Sequence, residues 1–353
     1  MNPLREVTTV GVINNAISAE LIRQDLHARG IPLDSVALVL LRQTTEPWID
    51  HCAAVLRYPG RPAQGALGQW RFFGYYYAAA RLLRRLERSA RLQHFYLVNN
   101  ENLVTTHLLA VAEDLPQVDV SVLAEGLMNF QDIEPSSRAK WRWRVKPVVA
   151  RLLRFRYRQP HGHLSGAFEP RVSRVVSFAD EGLKAPSEKV VIRRFEPVQP
   201  IRPSDPEVAL VVLTGLNQWM APAAYSVFAH AFVGWLEAQG FRKIQVKKHP
   251  RVSAGLIEKL LDKYEEVGRG QTTEALAAHL EAGTIVGTCC TALVTLKLIR
   301  PDLHCIDFGS DYYSEHAYHG DDSVKTLLSA AGVSLVQMPG LRQPPRASTD
   351  ASG

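Results

Sequence analysis

Phe195-Glu196-Pro197-Val198-Gln199-Pro200-Ile201-Arg202-Pro203-Ser204-Asp205-Pro206 decides how this chain is divided. Its prolines make it stiff, and it carries neither a helical nor a strand period. Upstream of it, apolar runs of strand length alternate with helical patterns: strands are expected at Val7 to Ile13, Val36 to Leu41, Phe95 to Val98, Val118 to Leu123 and Val175 to Phe178. Helices are expected at Ser18 to Arg29 (Ser18 as N-cap, Gly30 as stop), within Gly65 to Arg88, and at Leu103 to Ala112. Downstream the alternation restarts, with strands at Val208 to Leu213, Ile244 to Val246, Thr284 to Gly287, Leu303 to Phe308 and Val333 to Met338. Their helices are Ala223 to Gln239, Ala254 to Tyr264, Thr273 to Glu281 and Ala292 to Ile299. Strand-helix alternation on both sides of a stiff connector predicts two Rossmann-like α/β lobes with a cleft between them. The lobes are placed at 1–195 and 207–338, followed by a Pro/Ser/Arg-rich tail at 339–353 that is expected to be disordered.

At 353 residues the chain is long enough for two domains, and 46% hydrophobic with 22% charged residues is a globular composition. The formal charge of +6 suits an anionic ligand, a membrane surface or nucleic acid without choosing among them. Four cysteines, Cys52, Cys289, Cys290 and Cys305, show neither zinc-type spacing nor a disulfide framework, so a reducing cytoplasm is expected. The start of the chain has no signal-peptide pattern, and no apolar run reaches the roughly 18 residues of a membrane span.

Basic charge is concentrated in one place. Arg138, Lys140, Arg142, Arg144, Lys146, Arg151, Arg154, Arg156 and Arg158 follow one another with no carboxylate among them, interleaved with Trp141, Trp143, Leu152, Leu153, Phe155 and Tyr157. A solvated helix face mixes signs, so this run asks for an anionic partner: a membrane surface, an anionic glycan or nucleic acid. His161-Gly162-His163 follows in a Gly/Pro-rich loop without a carboxylate or cysteine partner nearby in sequence and reads as loop, not as a metal site. A late group of acids, Asp307, Asp311, Asp321 and Asp322, reads as solvated loop residues. The aromatics from Phe72 to Tyr77 read as core and interface.

Three short motifs fall at carboxyl ends of expected strands, where open α/β sheets bind ligands. They are Ala124-Glu125-Gly126, Lys247-Lys248-His249-Pro250 and Thr288-Cys289-Cys290-Thr291. The proline holds His249 extended among cations, a plausible phosphate seat or equally an idle surface strand end. Taken together, in this order, the motifs resemble those of the bacterial sialyltransferases and polysialyltransferases. That family has an acidic-acidic-glycine motif, a His-Pro motif and a later hydroxyl pair at a helix start. The resemblance implies a two-lobed GT-B fold and a donor that is a CMP-activated nonulosonic acid.

On that resemblance Glu125 takes the role of general base, Gly126 allows a sharp turn, and His249 with Pro250 faces the departing phosphate, with Lys247 and Lys248 raising the local potential. Cys290-Thr291 stands where the family has its hydroxyl pair, Thr291 and Thr288 being better donors than a thiol. Two departures matter: Ala124 replaces an acid, and Cys290 replaces a serine. Gly215 and Asn217, in the first loop of the second lobe, border the nucleotide in such folds. No metal and no cofactor beyond the CMP-sugar substrate are expected. The implied function is inverting transfer of a sialic-acid-like sugar to a glycan of capsule, lipopolysaccharide or a lipid carrier, with 138–158 guiding an anionic acceptor or touching the inner membrane. The rivals are a CMP-Kdo transferase, a catalytically inactive binder of nucleic acid or anionic lipid, and a phosphate-binding hydrolase or kinase. The last lacks any Walker-type glycine loop.

Overall fold

The computed structural model describes residues 3–338 except 43, 45, 60–65, 89, 90, 132–136, 249–254, 270 and 319. The chain forms two compact units, Met1–Pro197 and Val198–Gly353. The first contains strands β1 (Thr9–Ile13), β2 (Val36–Leu40), β3 (Ala54–Leu56), β4 (His94–Leu97), β5 (Asp119–Leu123), β6 (Arg174–Ser177) and β7 (Val190–Ile192). Its helices are α1 (Ala16–Ala28), α2 (Ala66–Glu87), α3 (Leu103–Asp114) and α4 (Ser137–Leu152). The second contains β8 (Asp205–Val212), β9 (Lys243–Lys247), β10 (Glu265–Glu266), β11 (Ala282–Gly287), β12 (His304–Phe308) and β13 (Ser334–Val336). Its helices are α5 (Pro222–Ala238), α6 (Leu256–Leu260), α7 (Thr273–Leu276), α8 (Thr291–Ile299), α9 (Ser310–Tyr318) and α10 (Ser323–Ala330).

Both sheets are parallel throughout and wound in the same sense. The first runs β3-β2-β1-β4-β5-β6-β7 and the second β10-β9-β8-β11-β12-β13. In each, the first strand of the unit lies centrally and the chain departs from it in both directions, which opens a crevice at the carboxyl ends of the two middle strands. In the first sheet that point lies between β1 and β4, paired Thr9 with His94 and Gly11 with Tyr96. In the second it lies between β8 and β11, paired Ala209 with Thr284 and Val212 with Gly287. Two doubly wound parallel sheets in one chain are the two-lobed α/β composition of the GT-B class.

The central strands are buried on both faces, so they read as continuous apolar runs. Every residue of β1 and β2 is buried. Helix α1 packs on them through Ile17, Leu21, Ile22 and Leu26, and Gly11 makes the approach possible. A Cβ there would lie 2.8 Å from Leu38 Cδ2 and 3.2 Å from Ile22 Cδ1. The helix starts two residues earlier than the sequence suggested. Asn15 is the N-cap and Ser18 completes a capping box, its backbone N–H donating to the Asn15 side chain at 2.9 Å while its own hydroxyl accepts from the Asn15 backbone N–H at 3.0 Å.

One charged group ties α1 to the sheet. Asp25 is fully buried and accepts from Tyr96 Oη at 2.7 Å, from Arg174 Nη1 and Nη2 at 3.0 Å each, and from Arg193 Nε and Nη2 at 2.9 and 2.6 Å. Those donors come from β4, from β6 and from just beyond β7. Hydrogen bonds and the charge of Arg174 overcome the cost of burial and hold the carboxyl below the ordinary aspartate range.

In the second unit, Phe228 and Phe232 of α5 pack against Phe308 of β12, with ring centroids 5.8 and 5.5 Å away. The proline-rich segment is not a free spacer. Val198 N donates to Ile299 O at 2.7 Å and Ile201 N to Ala278 O at 2.8 Å, so the segment is fastened along the second unit before β8 begins. The fully buried Arg300 reinforces it, reaching Ser204 Oγ at 2.6 Å and Ala277 O at 2.5 Å.

Candidate functional site

At the carboxyl end of β5 stands Glu125, only 7% exposed. Asn14, just beyond β1, donates from Nδ2 to Glu125 Oε1 at 2.6 Å, and Asn15 donates from Nδ2 to the Glu125 carbonyl at 3.3 Å. The other carboxyl oxygen, Oε2, is buried and has no hydrogen-bond partner among the described residues. Burial raises the carboxyl to about 7, against opposing influences from Asn14, Ser18 and the Arg42 guanidinium. A carboxyl near neutrality with one oxygen held and the other unclaimed is equipped to take a proton from a hydroxyl. Ala124, where the resembled family has an acid, is fully buried and continues the strand, its N–H donating to Val176 O at 2.9 Å. Gly126 corrects an expectation: its backbone is extended (φ −173°, ψ 173°), a conformation open to any residue, so no sharp turn depends on it.

In the second unit the loops leaving β8 and β11 meet at the switch point. Thr214 Oγ1 donates to Thr288 O at 2.8 Å and lies 3.4 Å from Thr288 Oγ1. Cys289 then takes a left-handed conformation, φ +47°, which L-residues seldom adopt. Asp307, at the end of β12, fixes this turn by accepting from Cys289 N at 2.8 Å and from Tyr313 Oη at 2.8 Å. Burial raises Asp307 to about 7. The turn delivers the chain into α8, with Cys290 as N-cap and Thr291 as first residue, half-exposed at the helix amino end. Burial pushes the Cys290 thiol up to about 12, and a neutral thiol is a poor nucleophile.

Asn217 lies in a short helical turn, Leu216–Gln218, whose preceding residue is Gly215 at φ −86° and ψ 42°. Close to it is a residue that the sequence reading passed over. Glu258 of α6 is 4% exposed, and its Oε2, like Asn217 Oδ1, is buried without a hydrogen-bond partner among the described residues. A Cβ built on Gly255 would meet Glu258 Oε2 at 2.6 Å, Tyr225 Oη at 3.0 Å and Asn217 Nδ2 at 3.4 Å, which shows these polar groups converging around the glycine. Burial raises the Glu258 carboxyl, and it raises Tyr225 to about 12. The only sequence signal for Glu258 was a carboxylate on an expected helix, which any solvated face would supply.

The lysines before the His-Pro motif are engaged elsewhere. Lys247, 5% exposed, donates to Gly268 O at 2.8 Å, and Lys248 pairs with Asp262 at 2.6 Å, with Glu266 at 3.7 Å. Lys248 is thus paired with carboxylates, whereas Lys247 is held by a backbone carbonyl that does not neutralise its charge. His249 and Pro250 lie outside the described residues. His163 has both ring nitrogens in hydrogen-bond range, Nδ1 to Ser165 Oγ at 2.9 Å and Nε2 to Gln131 O at 2.6 Å. Among the described residues no cluster of three or more His, Cys, Asp or Glu suits a metal. Of the late acids, Asp307 is buried rather than solvated, and Asp311 accepts from Met338 N at 3.3 Å. Asp322 meets Ser314 and Lys325, at 3.0 and 2.6 Å.

No protein-family model matches the chain, and no curated protein matches it in sequence. Solved structures similar to it include the glycotransferase of kitacinnamycin, with 13% identity and a TM-score of 0.49 over 95% of this chain and 88% of that one. Another is MnaA of S. aureus with UDP, with 10% identity and a TM-score of 0.48 over 92% and 87%. A third is MurG of Acinetobacter baumannii, with 13% identity and a TM-score of 0.40 over 95% and 87%.

Proposed function

We propose that the chain is an inverting, metal-independent glycosyltransferase that moves a sugar from a nucleotide donor to a glycan hydroxyl, the sugar being a nonulosonic acid and the nucleotide CMP. The observation that carries this reading is Glu125: a buried carboxyl brought to about 7, with one oxygen fixed by Asn14 and the other unclaimed. In the proposed step the acceptor hydroxyl gives its proton to Glu125 while its oxygen bonds to the anomeric carbon. The bond from that carbon to the nucleotide phosphate breaks, and the nucleotide departs with the electron pair. Growing phosphate charge is met by the amides opening α8 and by the Thr291 hydroxyl, on a turn held by Asp307. Asn217 and Glu258 supply acceptors for ribose hydroxyls or base N–H groups. The acceptor is proposed to be an anionic or lipid-linked glycan of the bacterial surface.

Nucleotide release from a panel of CMP- and UDP-activated sugars tests the reading, with an acceptor mixture present. Release from a CMP-nonulosonic donor, reduced about 10²- to 10⁴-fold in Glu125→Gln, is the expected result. Release confined to UDP-sugars replaces the donor and keeps the transferase. No release from any donor sinks the enzyme reading. Release unaffected by Glu125→Gln moves the base elsewhere.

A further inference from the structure

The one-sign helix of the first unit is fixed in orientation by its own contacts. Trp143 donates from Nε1 to Glu101 Oε1 at 3.0 Å, Lys146 Nζ reaches Glu101 O at 2.6 Å, and Ala150 and Leu153 are buried. Those residues recur at helical spacing on the side turned to the body. On the opposite side the spacing brings Trp141, Val145, Val148 and Leu152 into one stripe, and they are 62%, 37%, 61% and 77% exposed. Arg144 and Arg151, both exposed, run alongside it.

The surface continues onto α2. Phe73 and Tyr77 are exposed on its outer side, followed at helical spacing by exposed Arg81 and Arg84. The exposed Arg154 joins the two helices by placing its guanidinium 5.7 Å from the centre of the Tyr77 ring. Among the described residues none of Arg81, Arg84, Arg144, Arg151 and Arg154 has an ion pair. From Ala66 to Leu86 and from Ser137 to Arg158 the sequence has no carboxylate. The one at the end of α2, Glu87, is taken by His107 at 2.6 Å.

We infer that this face of α2 and α4 is a docking surface for an anionic lipid bilayer. Exposed aliphatic and indole side chains sharing a stripe with unpaired arginines need a partner that is apolar within and negative at its rim. A bilayer with acidic headgroups is both, since the stripe enters the acyl boundary and the arginines meet phosphate. Tryptophan settles at that boundary. A second copy of this chain does not fit, because joining identical faces brings arginine against arginine. Nucleic acid would satisfy the arginines and leave Val148 and Leu152 facing water or phosphate.

Vesicle co-sedimentation of the full chain tests this without donor or acceptor, so it is independent of the transferase reading. The probes are vesicles of phosphatidylcholine alone and with about 30% phosphatidylglycerol, in about 0.1 M salt. Binding to the anionic vesicles is expected to exceed binding to the neutral ones by at least about tenfold. Trp141→Ser with Leu152→Ser should lower it by about tenfold or more. Arg144→Gln with Arg151→Gln should lower it on the order of 20-fold, at roughly fivefold per cation. All four positions are exposed, and unchanged thermal melts confirm intact folds. Wild type that ignores anionic vesicles overturns the proposal. So do variants that bind as wild type, or variants whose loss is of a dimer or of duplex nucleic acid binding.

Discussion

Glu125 has a folded value of about 7 against an ordinary 4.5. Below about pH 4.5 both folded and unfolded chains hold the proton, and the carboxyl leaves stability unchanged. Between the two values the folded chain keeps the proton that the unfolded chain releases, so stability falls as pH rises. The loss is complete above about pH 7, at roughly 3 kcal/mol. Glu125→Gln keeps an acceptor for Asn14 and is expected to gain about 2–3 kcal/mol near pH 8 and nothing near pH 4, read from urea unfolding at both. The same group gives activity the opposite slope, since transfer needs the carboxylate and its rate should climb as pH rises through about 7. A pH–rate profile flat from pH 5 to about 9 would remove Glu125 from the base role. That Glu125 was visible in the sequence follows from its place at a strand end. Its partner Asn14 was not singled out, because a sequence separation of 111 is closed only by the folded sheet.

At the scale of elements, two carboxylates make opposite arguments. Asp25 is held ionised by Arg174, Arg193 and Tyr96, and Asp25→Asn leaves two half-buried guanidinium groups without their counter-charge. The expected cost is about 3–5 kcal/mol in urea unfolding. Asp307→Ala removes the acceptor for Cys289 N and Tyr313 Oη and releases the left-handed turn into α8. It should cost about 2–4 kcal/mol by the same measurement and weaken nucleotide binding in titration calorimetry. Long buried strands were legible: Val208 to Leu213 was expected and β8 ends at Val212, and Leu303 to Phe308 was expected where β12 spans His304–Phe308. The edge strands β3, β7 and β10 were not, since two or three residues, half-exposed in β3 and β7 and exposed in β10, carry no period. The α1 cap moved from Ser18 to Asn15 because both residues of a capping box are good caps, and only the backbone says which comes first. Glu258 went unread for a related reason. A helix pattern tells which residues share a face, and its burial beside Asn217 depends on Tyr225 of α5 arriving from elsewhere in the chain and on Gly255, the N-cap of α6, leaving room for them.

At the scale of the whole molecule, two sheets with separate cores predict that a nucleotide acts on one of them. Calorimetric scans with nucleotide at about a hundred times its Kd should raise the transition of the second unit by about 2.7 kcal/mol. The transition lowered by Asp25→Asn, which belongs to the first, should stay in place, and movement of both together would show one cooperative block. The sheets carry a further consequence, in the time the chain takes to form. Among the described residues neither contains a hairpin, so every strand pairing waits for an intervening crossover, and such long-range pairing is slow. The first unit closes at Pro197, before any strand of the second is made. At roughly 5–20 residues per second the ribosome allows the first sheet on the order of 10–30 s to close while the second is still being synthesised. Order of synthesis therefore keeps apart two sets of bare parallel edges that, released together from denaturant, could pair with one another. Refolding of the full chain from urea should accordingly yield less active protein than synthesis does.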